Sequence, residues 1–395
     1  MNDQHTPFLV VGGGIGGLAT ALAVAKAGRR VHVLEQDTEF GEIGAGLQLA
    51  PNALRVLDRL GVLQRVYRAS LLLREQVFMN AMTGDRAYAI DFGARFQAAF
   101  GYPYLVVHRR DLIAALAQAC AENPRISWEH ARAVVAVEDL GERVRVRCAG
   151  GGTYLAEAVV GADGRRSVVR RAIVSDDLVQ TGFVAYRGVV PFTEAAGASR
   201  PDQVVMWTGP DRHFVQYPLR GGELYNQVAV FRSDAYHADH DEWGLPAELD
   251  ALFGETCAQL RIAVRQVNRT RRWAMADRDP VENWTSGRIT LLGDSAHPML
   301  QYLAQGAAQA LEDAECLSRA FTTAGDDIES AFLAYQRERV PRTASVQLRT
   351  RELGELMHRS PTEAVEQVPR TPRSDPEDLE IVDWLYQERV RAFTT

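Results

Sequence analysis

Phe8-Leu9-Val10-Val11-Gly12-Gly13-Gly14-Ile15-Gly16-Gly17 decides the fold. A short apolar run, long enough for one buried strand, breaks into glycines, and an alanine-rich stretch from Leu18 to Gly28 follows as a helix. Val31-His32-Val33-Leu34 then reads as a second strand ending on Glu35. Strand, glycine turn, helix, strand and acid, in that order, make the β-α-β unit whose first turn cradles a dinucleotide. Gly12 permits the tight turn, Gly14 lets backbone approach a pyrophosphate, and Gly17 lets helix and strand pack closely. Ile15 opens the helix, whose N-terminus carries partial positive charge toward the phosphates. Glu35 stands about 20 residues on, where a carboxylate accepts hydrogen bonds from an adenosine ribose. A glycine turn without a ligand is the plain alternative, and the acid closing the second strand argues against it.

Working outward, Pro51 to Leu60 reads as a helix, with Asn52 near its start and Gly61 just past its end. His108-Arg109-Arg110-Asp111 leads into another helix that runs to about Glu122. Strand segments follow near 131–138, 143–148 and 153–161, with turns at Leu140-Gly141 and Gly150-Gly151-Gly152. From about 180 to 275 the pattern changes. Val204 to Trp207, Phe214 to Tyr217 and Tyr225 to Phe231 are strand-like, and Gly221-Gly222 supplies a hairpin turn. A helical pattern returns over Ala247 to Val267, then a buried strand over Ile289 to Leu292, then a helix from about Gly306 to Ala320. An extended stretch over 368–377 precedes a last helix at about 378–392. The expected organisation is α/β. A dinucleotide-binding domain comes in three parts (1–75, 101–178 and 276–345), an antiparallel-sheet substrate domain is interleaved with it (76–100 and 179–275), and a helical C-terminal region closes the chain (346–395).

Composition narrows the chemistry. With 46% hydrophobic and 24% charged residues in 395, disorder, collagen-like repeats and disulfide scaffolds are excluded. A net charge of −7 argues against a nucleic-acid surface, which has to neutralise phosphates. Lys26 is the sole lysine and lies in no Schiff-base or phosphate-loop motif. Cys120, Cys148, Cys257 and Cys316 form no Cys-x-x-Cys, so neither a zinc cluster nor a dithiol centre is expected, and the compartment reads as reducing. Met1 to Thr6 is polar, and no apolar run is long enough for a membrane span, so a cytoplasmic protein is expected. His237, Asp239, His240 and Asp241 are metal-ligand types in a short polar run that reads as a solvated loop, so no metal is expected. Arg261, Arg265 and Arg269 recur at helical spacing and read as a solvated face. Asp294, Ser295 and His297 are too close in sequence to converge as a hydrolase triad, and no Gly-x-Ser-x-Gly elbow accompanies them.

Two later motifs separate FAD from NAD: Gly161-Ala162-Asp163-Gly164, and Gly293-Asp294-Ser295-Ala296-His297-Pro298 followed by Gly306 and Glu312-Asp313. With the first fingerprint, in this order, the chain resembles the group-A flavoprotein aromatic hydroxylases over nearly its whole length. The resemblance implies a Rossmann-like FAD-binding domain and bound FAD. It also implies NADH as a transient co-substrate, molecular oxygen, a small aromatic acid substrate and a homodimer. Asp163 would belong to the second FAD signature. Asp294 would accept from the ribityl hydroxyls, with Gly293 leaving room, and Gly306 and Ala307 would aim backbone N–H groups at the flavin pyrimidine. Arg109 would bind the FAD backbone; a salt bridge to Asp111 is the plain alternative, and Arg110 competes for the role. Gly41 to Leu47 holds no redox cysteine pair, so thiol chemistry is excluded, and no second Gly-x-Gly-x-x-Gly houses a pyridine nucleotide permanently.

A narrower likeness lies in His213-Phe214-Val215-Gln216-Tyr217 and in Pro298 to Gly306 with Gln301. His213 and Tyr217 fall on one face of a strand, because i and i+4 share a side. This looks like the 3-hydroxybenzoate 6-hydroxylases, in which the matching His and Gln contact the substrate phenol and the matching Tyr lines the pocket. Leu47 and Tyr104 are further pocket residues, although an aromatic beside Pro103 also suits packing. The implied reaction is para-hydroxylation of 3-hydroxybenzoate to 2,5-dihydroxybenzoate, with oxygen activated at flavin C4a. His213, at an ordinary pKa near ~6.5, would take the phenol proton at neutral pH; a satisfied structural histidine is the alternative. Salicylate 1-hydroxylases and 6-hydroxynicotinate 3-monooxygenases share much of the pattern, the latter with a histidine where this chain has Leu47. A flavin oxidoreductase that inserts no oxygen, and a non-catalytic FAD-binding regulator, are the readings from other classes.

Overall fold

A computed structural model describes residues 4–40, 45–195, 200–236, 246–359 and 380–387. The stretch His237 to Asp241, the extended run over 368–377 and both ends of the expected last helix lie outside the described residues. Strand Gln4–Val11 pairs in parallel with Val31–Leu34 on one side and Thr153–Gly161 on the other. Ile126–Glu129 and Ile289–Leu291 extend the parallel ladder outward within an eight-stranded sheet. Helix Ile15–Lys26 follows the first strand and packs on the sheet and against helix Gly306–Ala324. Its small and aliphatic residues are buried nearly all round, as a helix covered on several sides requires. Two fingerprint glycines are demanded by this packing alone. Gly12 sits at φ +104°, and a Cβ there would lie 2.3 Å from the carbonyl oxygen of Ala162. A Cβ on Gly17 would lie 1.9 Å from the carbonyl oxygen of Gly12.

The second sheet has seven strands in the order Arg272–Asp277, Val179–Pro191, Leu224–Arg232, Arg212–Leu219, Gln203–Gly209, Glu75–Asn80 and Arg86–Asp91. It is antiparallel except where Glu75–Asn80 joins Gln203–Gly209 in parallel. Side chains alternate between two covered faces. Val205, Trp207, Phe214 and Phe231 pack with helices Pro246–Gly254 and Ala258–Val264 in one core; Val204, Met206, Val215 and Tyr217 belong to the other. The single helix expected over 247–267 is broken in two. Between the halves Thr256 donates its hydroxyl to the Phe253 carbonyl, and the Cys257 amide docks on the Ala81 carbonyl at 2.8 Å.

The sequence reading missed a helix of 30 residues, Ile328–Met357. Phe332 and Tyr335 anchor it in the nucleotide-binding core, while Val346 and Met357 reach the core under the second sheet. Its buried face carries Arg339, Thr343, Gln347 and Thr350 in between, which interrupts the apolar stripe that marks a helix in sequence. The boundary expected between 345 and 346 therefore falls inside one continuous helix.

Arg339 is held by Asp313, with its Nε donating at 2.7 Å, and by Glu312 at 2.7 Å. Burial alone would push the Asp313 carboxyl up, but His297 and Arg339 outweigh it and bring it down to about 2. Glu312 is likewise raised by burial and brought down to about 2 by Arg339, Arg342 and the Asn52 amide. Removing one partner of such a buried pair leaves an uncompensated charge, so Asp313→Asn is expected to cost about 3–5 kcal/mol in urea unfolding. The sign with pH follows. Both carboxylates are more acidic folded than at their ordinary values of 3.8 and 4.5. Their stabilisation is therefore complete above those values and is lost as pH falls toward 2. Acid unfolding of Asp313→Asn should show a shallower dependence over that interval.

Candidate active site

A cavity of about 710 Å³ collects the glycine turn, Arg109, the Gly293-Asp294 turn and the start of helix Gly306–Ala324. The same cavity is lined by Leu47, Tyr104, His213, Tyr217 and Gln301. Such a volume suits a large cofactor segment or a drug-sized ligand.

Gly14 differs from its neighbours. No atom lies within 4 Å of where its Cβ would stand, so the protein's own packing does not require glycine there. Gly14 faces the cavity beside Ile15 and Gly16, and an incoming group is what would need the space. Glu35 turns onto the glycine loop itself, accepting from the amides of Gly13 at 2.7 Å and Asp37 at 2.9 Å. Arg109 lines the cavity, whereas Asp111 is held by Arg220 through two hydrogen bonds of 2.8 and 2.9 Å.

Asp163 is not placed in the cavity; Ala162 and Gly164 line it instead. Its carboxylate accepts from the amides of Val168 and Val169 and from the hydroxyls of Ser167 and Ser295. Ser295 in turn accepts from the Gly164 amide at 2.9 Å, and buried Arg170 donates to the carbonyls of Ser295 and Ala296. Asp163 thus fastens the second signature to the third. Asp294 is the exposed residue of that turn and faces the cavity, while Ser295 points to Asp163 and His297 to Asp313, so the three diverge.

The loop from Pro298 to Gln305 carries Gln301, and Ala304 adopts φ +52° just before the helix. A non-glycine residue held in this region is strained, and such strain gathers at functional sites. Arg187 donates from Nη2 to Oε1 of Gln301 at 2.6 Å. A guanidinium has no acceptor, so it fixes the amide with oxygen toward Arg187 and leaves the Gln301 N–H groups as its remaining hydrogen-bonding end.

His213 is 1% exposed, and its Nδ1 lies 2.7 Å from Nε2 of His358. Nε2 of His213 is then the ring nitrogen left for a ligand. Burial, and secondarily His358, hold the ring well below the ordinary 6.5, which corrects the expectation of an ordinary pKa: His213 is neutral at pH 7. Tyr217 packs against Gly46, where a Cβ would stand 2.5 Å from the ring. Burial pushes the Tyr217 hydroxyl up against the pull of Arg187, so it stays protonated. Tyr104 stacks on Phe92 at 4.2 Å, donates to Oε1 of Gln48 and also lines the cavity.

Sequence reasoning missed Arg187 and His358; the last helix, expected at about 378–392, is described over Glu380–Tyr386, and its Trp384, Leu385 and Tyr386 also line the cavity. Arg187 lies on the overlooked strand Val179–Pro191. His358 is 145 residues from His213, beyond any local spacing rule. Among the described residues no His, Cys, Asp and Glu group is arranged to hold a metal ion, and no helix is long and apolar enough to cross a membrane.

Residues 5–350 match the FAD binding domain family. The chain is 38% identical over 393 residues to a 3-hydroxybenzoate 6-hydroxylase of Polaromonas naphthalenivorans (strain CJ2), covering 98% of this chain and 96% of that protein. A 3-hydroxybenzoate 6-hydroxylase of Klebsiella oxytoca is also 38% identical, with 96% of each chain covered. Among solved structures, a single-substitution variant of HpxO of Klebsiella pneumoniae in complex with FAD superposes with a TM-score of 0.81 at 23% identity, over 92% of this chain and 93% of that one. The chain belongs to the FAD binding domain family, as a group-A flavoprotein aromatic hydroxylase. FAD fits what the cavity offers: open space at Gly14, an exposed carboxylate at Asp294 and helix N-termini at Ile15 and Gly306.

The glycines give a sharp test. Gly14→Val should fold, with an unchanged far-ultraviolet circular dichroism spectrum, yet purify without flavin. Gly17→Val should fail to fold, because its added carbons would enter the Gly12 carbonyl. Equal flavin retention by Gly14→Val and the parent protein would remove Gly14 from the cofactor site.

Proposed function

We propose that this hydroxylase acts on 3-hydroxybenzoate and places the new hydroxyl para to the phenol, giving 2,5-dihydroxybenzoate. One oxygen atom of O₂ enters the ring, the other leaves as water, and NADH is oxidised to NAD⁺. Bound FAD supplies the redox and oxygen chemistry. The carrying observation is that His213 and Gln301, with its N–H groups turned away from Arg187, share the flavin-site cavity.

A neutral phenol is a poor partner for an electrophilic oxygen, and a phenolate pushes electron density to the ortho and para carbons. Nε2 of neutral His213 accepts the phenol proton. Its depressed basicity keeps it unprotonated, and so ready, throughout the neutral range. The Gln301 N–H groups donate to the phenolate oxygen, and the Arg187 charge behind the amide favours the anion. Tyr217 holds the ring from the same strand, and Leu47 and Tyr104 close the pocket. Gly14, Ile15, Arg109, Gly293, Asp294, Gly306 and Ala307 hold the FAD, Gly12 and Gly17 let the glycine turn close beneath it, and Glu35 and Asp163 brace the loops. The relatives' names support the substrate, and the resemblance supports NADH, a homodimer and a cytoplasmic setting.

The test is a panel of isomeric hydroxybenzoates and 6-hydroxynicotinate with NADH, oxygen and the FAD-loaded protein, with products identified by chromatography. 3-Hydroxybenzoate should give 2,5-dihydroxybenzoate. Catechol from salicylate, with 3-hydroxybenzoate inert, would overturn the substrate. His213→Ala should keep FAD, slow hydroxylation about 10²–10⁴-fold and release more hydrogen peroxide per NADH. Parent-like rate and coupling in that variant would remove His213 from the chemistry.

A further inference from the structure

Resting on that reading, we infer that His358 is a positioning residue that passes the phenol proton between His213 and solvent. His358 caps the C-terminus of helix Ile328–Met357, and its Nε2 lies 2.7 Å from Nδ1 of His213. The two rings stack with centroids 5.0 Å apart and planes 23° from parallel. His213 is sealed in the sheet, whereas His358 is only half-buried, so the pair runs from the cavity to the surface.

A proton taken by His213 alone would leave an imidazolium among aromatic rings, including Tyr302 with its centroid at 5.4 Å. The pair avoids this. A hydrogen bond between two neutral imidazoles needs one donor and one acceptor. With Nδ1–H of His213 donating, Nε2 takes the phenol proton, the Nδ1 proton crosses to Nε2 of His358, and His358 gives its own Nδ1 proton to water. When the hydroxylated ring regains aromaticity, the hydrogen already on the attacked carbon is lost to water as a proton. The same path run backwards returns a proton to the phenol oxygen and restores both tautomers. No electrons move along it.

The surroundings favour a neutral outlet. Phe183 stacks on His358 at 4.2 Å, and Tyr302 meets it edge-on at 5.4 Å. Burial, with Arg232 adding to it and Asp211 opposing, brings His358 down to about 4. Asp211 and Arg232 pair with each other at 2.7 Å, and the Asp211 amide donates to the His358 carbonyl at 3.0 Å. Beyond Tyr302 lie Asp277 and its partner Arg351, and Arg359 follows His358 as an exposed cation. Asp211 and Asp277 are thus each already matched by an arginine, and water at the surface takes the proton.

The test uses FAD-loaded His358→Gln and His358→Ala proteins in single-turnover and steady-state kinetics with 3-hydroxybenzoate. Gln fills much of the space and can hydrogen-bond to His213 Nδ1 but cannot relay a proton, so it serves even if the Ala variant fails to fold. The expected result for Gln is a kcat lower by about 10²-fold. KM and the rate of flavin reduction by NADH should hold, and activity should rise steeply with pH as the free phenol ionises. Added imidazole should restore part of the Ala variant's rate. A Gln variant with the parent's kcat and pH profile, where the parent hydroxylates 3-hydroxybenzoate, overturns the relay and leaves the hydroxylation reading standing. A parent protein inert toward 3-hydroxybenzoate is the separate failure of that reading.

Discussion

Asp313, on helix Gly306–Ala324, is the point at which that helix, the turn after strand Ile289–Leu291 and the long helix Ile328–Met357 are fixed together. One oxygen accepts from the Gly293 amide at 2.9 Å and from His297 at 2.6 Å; the other accepts from Arg339 at 2.7 Å. The first contact shapes the Gly293-Asp294 turn, and the second holds the segment leading into the Gln301 loop. The third sets where the long helix lies against the nucleotide-binding core, and that helix ends at His358 beside His213. One buried carboxylate therefore registers the Gly293-Asp294 turn, the Gln301 loop and the long helix that reaches the far sheet. The interaction is stringent because the carboxylate is fully buried and stays ionised. A displaced helix would strand Arg339 in the core, so geometry is enforced by the cost of unpaired charge more than by any attraction.

The glycines around the first turn divide by what they answer to. Gly12 and Gly17 are required by strand and helix approaching within contact of each other, and an empty fold would need them as much as a loaded one. Gly14 is required by neither. The fingerprint is thus two constraints written in one residue type, and the coordinates separate them where the spacing cannot. Glu35 shows the same layering, since it braces the loop through Gly13 before any ligand arrives.

Local patterns were legible in the sequence because they rest on neighbours in the chain. The first strand, glycine turn, helix and second strand are of this kind, as is the hairpin at Gly221-Gly222. The shared face of His213 and Tyr217 follows from the period of a strand, and both do line the cavity. What stayed hidden depends on tertiary packing. Strand Val179–Pro191 is broken up by glycines, and Gly188 is there because Asn268 lies close against it, with a Cβ only 2.8 Å from the Asn268 nitrogen. Asp163 was correctly placed after a strand, but nothing in its motif says that its carboxylate turns away from the cavity. The basicity of His213 follows from burial and from a histidine far along the chain, and no spacing rule carries that information.

On the function proposed above, one cavity holds the flavin and presents a phenol to His213 and Gln301 together. A crystal structure of the FAD-loaded protein with 3-hydroxybenzoate tests it most directly. The phenol oxygen is expected within about 2.6–3.2 Å of both His213 Nε2 and a Gln301 N–H nitrogen, with the para carbon facing the flavin. A bound ring whose phenol oxygen meets neither residue, or whose carboxylate occupies their place, would contradict it.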